Sequence, residues 1–546
     1  MSVQNNQRDD MSTELEDLVA TSDTGARKPQ GFTGKLILSV AAVWSLFQLW
    51  IASPLPYLVG FGVFNSAEAR SIHLAFAIFL GFMAFPALKR SPRDRVPVLD
   101  WILALAASFC AAYTYLFYTQ LVGRPGNPTT FDVAVGITGL ILLLEATRRA
   151  LGPPLMVVAL VFLVYCLAGP YMPGILAHRG VSVQSLINHQ WLTSQGVFGI
   201  AVGVSTSFVF LFVLFGSLLD KAGAGNYFIK VAFSLLGHYR GGPAKAAVVA
   251  SAMTGLISGS SIANVVTTGT FTVPMMKRVG FSAEKAGAVE VASSVNGQIM
   301  PPVMGAAAFL MVEYVGIPYV EVIKHAFLPA LISYIALLYI VHLEAMKADM
   351  QGLQSSNPPR PFVRKVLGFL TGLILLMALS FAVYYGLGWL KPLLGDAAGW
   401  VIGAGLFVAY VGLLKVGARY PELELDDPDS PVVTLPQTKP TVMSGLHYIL
   451  PVIVLVWCLM VERLSPGLSA FWATVLMIVI IVTQRPLIAL FRGQSKLAND
   501  LMHGLDDLWQ GLVAGARNMI GIGIATAAAG IIVGAVAQTG VGPSLV

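Results

Sequence analysis

The chain has 546 residues, of which 56% are hydrophobic and only 11% charged, against about 25% charged in an ordinary soluble chain. At a mean hydropathy of +0.74 there is too little polar surface for a water-soluble protein. The net charge of +6 falls in short basic clusters between apolar runs, which suits a membrane protein with basic cytoplasmic loops better than a nucleic-acid binder.

In chain order, residues 1–30 are polar and slightly acidic, with Asp9, Asp10, Glu14, Glu16, Asp17 and Asp23. They lack the basic start and short apolar core of a secretory signal and read as a disordered cytoplasmic tail. Crossing roughly 30 Å of hydrocarbon takes about 20 apolar residues. Runs of that kind occur near 36–53, 71–88, 98–122, 132–149 and 153–169, then 196–219, 285–315, 322–343, 365–390, 395–415, 443–460, 466–483 and 510–538. Lys89, Arg90, Arg93 and Arg95 share one short loop, which the positive-inside rule keeps in the cytoplasm together with the N-terminus. Alternation then makes 171–195, with His178, Arg179, Asn188, His189 and Trp191, an external connector, and the acidic, Pro-rich 416–442 a cytoplasmic linker.

The most informative stretch lies between residues 243 and 315. Thr254-Gly-Leu-Ile-Ser-Gly-Ser-Ser-Ile-Ala-Asn264 separates two apolar pieces, each read as too short to span, and Lys277-Arg278 follows. That pattern describes a re-entrant hairpin over 243–280, since non-helical backbone at membrane depth is tolerated only inside protein or beside a wet cavity. A second interruption, Ser293-Ser-Val-Asn-Gly-Gln-Ile-Met-Pro-Pro302, breaks a helix over 283–315, because consecutive prolines cannot continue the ladder. Freed carbonyls and hydroxyls suit a hard cation, and half-helix N-termini attract anions. Small residues also let helices pack closely, but two polar breaks within about 45 residues point to a substrate or ion site.

Residues 211–225 and 528–542 both end an apolar helix in Gly-x-Gly, at Gly223/Gly225 and Gly540/Gly542, on opposite sides by the alternation. Units of opposite orientation form an inverted repeat, a frequent basis of secondary transporters. Residue 546 comes four positions after Gly542. The repeat over 443–546 is therefore expected to be incomplete, lacking on the order of 100 residues that would hold a second hairpin and a second broken helix.

The segments GSSIANVVTTGTFTVPMMKRVGFSAEKAGAVE (259–290) and QIMPPVMGAAAF (298–309) resemble the permease of tripartite ATP-independent periplasmic (TRAP) transporters. The likeness is to the TAXI type, with small and large membrane subunits fused. The resemblance implies an all-α, elevator-type secondary transporter of the bacterial inner membrane. In such a system a periplasmic substrate-binding protein delivers a small organic acid anion, and an ion gradient, usually Na⁺ with H⁺ as the alternative, drives uptake without a cofactor. It also implies a small-subunit-like scaffold over 31–170, a transport subunit over 196–415, and a substrate and ion site at Ser258, Gly259, Ser260, Ser261, Asn264, Ser293, Ser294, Asn296 and Gly297. An elevator-type carboxylate symporter without a binding protein, and an inert membrane subunit, are the other readings.

Charged residues in the spans have two readings each. Glu290 carries a proton or counter-charge, or else pairs with Lys285 near a helix start. Glu145 is four residues from Arg149, so snorkelling or an i,i+4 pair is the reading favoured over a functional role. Glu313, Glu321, Lys324 and His325 flank Gly316-Ile317-Pro318 as a rim, or as part of a docking face. Cys110, Cys166 and Cys458 lie in apolar segments without CxxC spacing and read as small hydrophobes. The eight histidines show no HExxH spacing and no Walker A sequence occurs, so neither a metal enzyme nor ATP hydrolysis is indicated.

Overall fold

The computed structural model describes residues 27–542 apart from Lys89, Ser260, 354–360, Glu422, 424–434 and 494–496. Most of the expected N-terminal tail, and residues 422 and 424–434 of the 416–442 linker, therefore lie outside the described residues. All described regular structure is helical, as the composition requires. Eleven helices are long and apolar enough to cross a membrane among the described residues, or 12 with one bent pair counted as a span. The chain is an all-α integral membrane protein.

Five long helices come first: α1 (Gly31–Ala52), α2 (Ser66–Ala84), α3 (Val98–Leu116), α4 (Thr130–Leu151) and α5 (Pro153–Ala168). Their starts follow from local chemistry. Asn65 and Thr129 form capping boxes with Glu68 and Asp132, satisfying N–H groups that have no partner within the helix. Pro153 opens α5 where its missing N–H costs nothing. Residues 27–30, expected to belong to a disordered tail, instead lie against this unit. The Arg27 guanidinium is buried 2.6 Å from Asp100, which also takes Arg149 at 2.8 Å. Arg149 and Arg148 both reach Glu145 at 2.7 Å, so the expected i,i+4 pair forms as part of a five-residue ionic cluster.

The connector 171–195 is less external than its polarity suggests. Trp191 is fully buried, and its indole donates to the Cys110 carbonyl at 3.0 Å. Gly136 and Gly139 of α4 leave the room its ring occupies. Gln190 is buried as well and donates to Ile531 O at 3.2 Å. The apolar body of the tryptophan outweighs its polar neighbours.

Next come α6 (Ile200–Lys221), interrupted by a π-helical turn at Ser205–Val209, and α7 (Ala224–Leu236). The hairpin pair α8 (Gly242–Ser258) and α9 (Ser261–Arg278) follows, then α10 (Ala283–Asn296), α11 (Ala306–Val315) and α12 (Tyr319–Lys347). The later helices are α13 (Phe362–Leu394), α14 (Ala398–Gly417), the pair α15 (Thr438–Ser444) and α16 (Leu446–Met460) bent by 55°, α17 (Pro466–Phe491) and α18 (Leu497–Thr539). At 43 residues, α18 is about 65 Å long. It begins well before the expected span at 510–538.

Helix α18 runs antiparallel to α6: Gly511 faces Leu218, Gly515 faces Leu214 and Gly530 faces Gly196. The two apolar-helix-to-glycine patterns thus point in opposite directions, and Gly223 and Gly540 end them at φ 103° and 67°. α18 also packs along α1, α2, α4 and α5, which joins the early helices to the rest. Outward faces such as Leu367, Ile374 and Phe381 on α13 are exposed, as lipid contact requires.

Helices α7 to α12 have cores of their own, one around Ala247, Met276 and Val341, another around Phe233, Ala246 and Phe271. They meet α6 through an aromatic seam in which Phe309 lies 4.8 Å from Phe212 and 5.3 Å from Phe208.

Candidate functional site

The hairpin halves have 17 and 18 residues, about 26 Å each, longer than the half-length pieces read from hydropathy. Polar and small residues rather than shortness keep them out of the set of apolar spans. They turn at Gly259, whose φ of 59° disfavours any side chain. Beside them α10 stops at Asn296, and a 3₁₀ turn over Gly297–Ile299 leads into Pro301-Pro302. Gly305 N then donates to Gln298 O at 2.7 Å, closing the break before α11. Tyr319 OH lies 2.6 Å from Pro302 O and 3.0 Å from Val303 O, so its one proton is shared between two carbonyls freed there.

Hairpin and break touch through backbone. A methyl group built on Gly255 would lie 2.7 Å from Gly297 Cα, and one on Gly297 would lie 3.0 Å from Gly255 Cα. Asn264 Nδ2 borders the same crossing, at 3.6 Å from the position of a Gly297 methyl.

The candidate residues divide into two groups. The first forms a buried strap. Asn264 Nδ2 donates to Ser251 O and Ser251 Oγ, each at 3.0 Å, and its Oδ1 accepts from Thr254 at 2.5 Å. Ser251 Oγ and Ser294 Oγ are 2.9 Å apart, and Ser294 Oγ donates to Glu290 at 3.3 Å. Glu290 is 1% exposed and also accepts from Thr268 and, at 2.5 Å, from Thr272. Ser293 Oγ turns back to Val289 O at 2.8 Å, while Tyr334 OH donates to Ser293 O at 2.9 Å. Lys285 is not the partner of Glu290; it pairs with Glu344 on α12. Residues i and i+5 do not share a helix face.

The second group is more open. Ser261 Oγ accepts from Gln298 Nε2 at 3.0 Å, which sets the N-terminus of α9 against the C-terminus of α10. Gly259, Ser261 and Asn296 are partly exposed, whereas Gly297 is buried at the crossing. Ser258 ends α8, and Ser260 lies outside the described residues. Ser251, Thr254, Thr268, Thr272, Tyr334 and Gln298 were not singled out from the sequence. A signal for two of them exists, because Asn264, Thr268 and Thr272 recur every four residues and so line one face of α9. Glu321 pairs with Lys324 at 2.7 Å on the rim.

Residues 138–392, which contain the hairpin, the strap and the break, match the family described as the tripartite ATP-independent periplasmic transporter, DctM component. That stretch is a domain of the TRAP large-permease type. Similar proteins include the C4-dicarboxylate TRAP transporter large permease protein DctM of Vibrio cholerae, 26% identical over 219 residues, or 38% of this chain and 45% of that protein. The protein of the same name from Rhodobacter capsulatus is 35% identical over 91 residues, 17% of this chain and 21% of its own length. The sialic acid TRAP transporter permease protein SiaT of Haemophilus influenzae is 31% identical over 91 residues, 17% of this chain and 15% of its own. The chain thus spans less than half the length of these TRAP permeases.

Proposed function

We propose that this chain is the membrane permease component of a binding-protein-dependent, ATP-independent importer of small organic acid anions. In this reading α1–α5 are a fused small-subunit-like scaffold and α7–α12 an elevator that carries the site. The protein lies in a bacterial inner membrane with its N-terminus in the cytoplasm, works with a periplasmic binding protein, performs no chemistry on its cargo and couples to Na⁺. Relatives named for a C4-dicarboxylate and for sialic acid share a carboxylate-bearing substrate, which supports the substrate class.

The observation that carries this reading is the junction at Ser261 and Gln298. There a helix N-terminus, favourable to anions, meets the C-terminal ends of α8 and α10, favourable to cations. One small volume thus favours an anion and a cation together, the local requirement for symport. Among the described candidate residues, Asn296 and Ser261 are open enough to contact cargo, beside the exposed Gln298.

The test is uptake of radiolabelled C4-dicarboxylate into proteoliposomes under a Na⁺ gradient, with the periplasmic fraction of the source cells added. Asn296→Ala and Ser261→Ala are expected to raise the half-saturation for Na⁺ or substrate about tenfold each, corresponding to ~1.4 kcal/mol. Uptake that needs no periplasmic protein would favour the symporter without a binding protein. Wild-type kinetics in both variants would remove the site from this junction.

A further inference from the structure

Glu290 is a buried carboxylate whose described hydrogen-bond partners are all hydroxyls: Thr268 and Thr272 from α9, and Ser294 from its own helix. Among the described residues no cation pairs with it; Lys285 is held by Glu344, and Tyr334 of α12 spends its proton on Ser293 O. A buried charge in a membrane protein is costly to keep, and this one touches the hairpin directly at Thr268 and Thr272 and reaches the Asn264 amide through one hydrogen-bonded chain.

That chain has a direction. An ionised carboxylate is acceptor-only, whereas a hydroxyl has one proton to give. With Glu290 at the end, Ser294 donates to it, and Ser294 Oγ is then open to the proton of Ser251. Ser251 has no second proton, so toward Asn264 it accepts, and the amide must present Nδ2. Ser251 O demands the same orientation, and Thr254 Oγ1 completes it by donating to Oδ1. The amide so fixed lies beside Gly297.

We propose that Glu290 is a positioning residue of the hairpin site, the acceptor-only end of a relay through Ser294 and Ser251 that fixes which way the Asn264 amide is turned beside Gly297. A glutamine there supplies its own donor. Ser294 is then free to donate to Ser251 and Ser251 to donate to Asn264, so the Ser251 hydroxyl no longer demands Nδ2 and the amide orientation is left to Ser251 O and Thr254 alone. Thr268 and Thr272 lose nothing in the change, because each already has a backbone acceptor one turn back, Asn264 O at 2.7 Å and Thr268 O at 3.0 Å. The substitution therefore loosens the hold on the amide without stranding a buried donor. Gly269 provides the room, since a methyl there would meet Glu290 Cγ at 3.0 Å.

The inference rests on the hairpin as the ion site, and the experiment separates the two. The detergent-purified chain is titrated with NaCl against choline chloride at constant ionic strength, and thermal stability is followed. Glu290→Gln is expected to raise the half-maximal Na⁺ concentration at least tenfold with the melting temperature in choline little changed. Thr268→Val with Thr272→Val should do the same, while Thr268→Ser with Thr272→Ser should restore the wild-type midpoint. If Glu290→Gln and the valine pair lower the melting temperature but leave the Na⁺ midpoint in place, the role is structural and the proposal falls. If Asn264→Ala raises the midpoint and Glu290→Gln does not, the relay fails while the site stands. If Asn264→Ala is also silent, or the wild type shows no Na⁺ response, the site reading fails and takes the inference with it.

Discussion

Gly255→Ala is expected to abolish most transport while leaving the helix it sits in more favourable. Alanine is a better helix former than glycine by about 1 kcal/mol, so any loss must come from packing. The added methyl would lie 2.7 Å from Gly297 Cα. Its neighbour is backbone, which cannot rotate away, so α8 and α10 must separate where the hairpin crosses the break. Overpacking of this kind costs about 1–3 kcal/mol, roughly a 5- to 150-fold loss of the close arrangement. Gly297→Ala should act in the same direction, with its methyl 3.0 Å from Gly255 Cα. Gly287→Ala on α10 is the control, since nothing lies within 4 Å of its methyl and uptake should be retained. Uptake rates in proteoliposomes, normalised to inserted protein, decide the matter. A Gly255→Ala protein that transports like the Gly287→Ala control would show that the crossing is loose.

Much of this architecture was legible because lipid imposes a simple code. Long apolar runs had to become helices, and paired prolines had to end α10. The positions of Gly259 and of the break at Gly297 followed from the same local rules. Other features were hidden for identifiable reasons. The first 13 residues of α18, Leu497 to Trp509, are too polar to register as part of a span. Trp191 looked like part of a surface connector because its neighbours are polar, and only α4 glycines far away in sequence reveal its pocket. Arg27 looked like part of a tail because its partner, Asp100, is 73 positions away. At the site, serine and asparagine stood out inside apolar helices, but which of them face a ligand and which face one another is a matter of tertiary contact. Asn264 and Ser294 turned out to be spent on the strap, while Ser261 and Asn296 are the more open. Glu290 drew attention as a membrane carboxylate, yet two of its three hydroxyl partners, Thr268 and Thr272, lie on a different helix from the lysine that sequence proximity offered.

Asp100→Ala is the substitution expected to damage the fold most, and it acts far from the hairpin. The carboxylate sits between Arg27 at 2.6 Å and Arg149 at 2.8 Å, and all three groups are buried. Removing it leaves two guanidinium groups short of a counter-charge. Arg149 keeps Glu145, but among the described residues Arg27 retains only carbonyl partners, Pro92 O at 3.0 Å and Phe82 O at 3.5 Å. Breaking a buried pair by deleting one partner costs about 3–5 kcal/mol, a large share of the roughly 5–15 kcal/mol that holds a typical domain. The expected result is a marked drop in the melting temperature of the detergent-purified protein and a smaller monodisperse fraction on size exclusion. The pair need not stabilise the fold relative to an apolar replacement, because desolvating two charges offsets most of their attraction. Arg27→Met combined with Asp100→Leu leaves Arg149 on Glu145 and strands no charge, so it should recover most of the loss. If Asp100→Ala melts with the wild type, the cluster is hydrated in the membrane. If instead the double variant is no better than the single one, the loss comes from altered packing of α3 and not from the unpaired guanidinium.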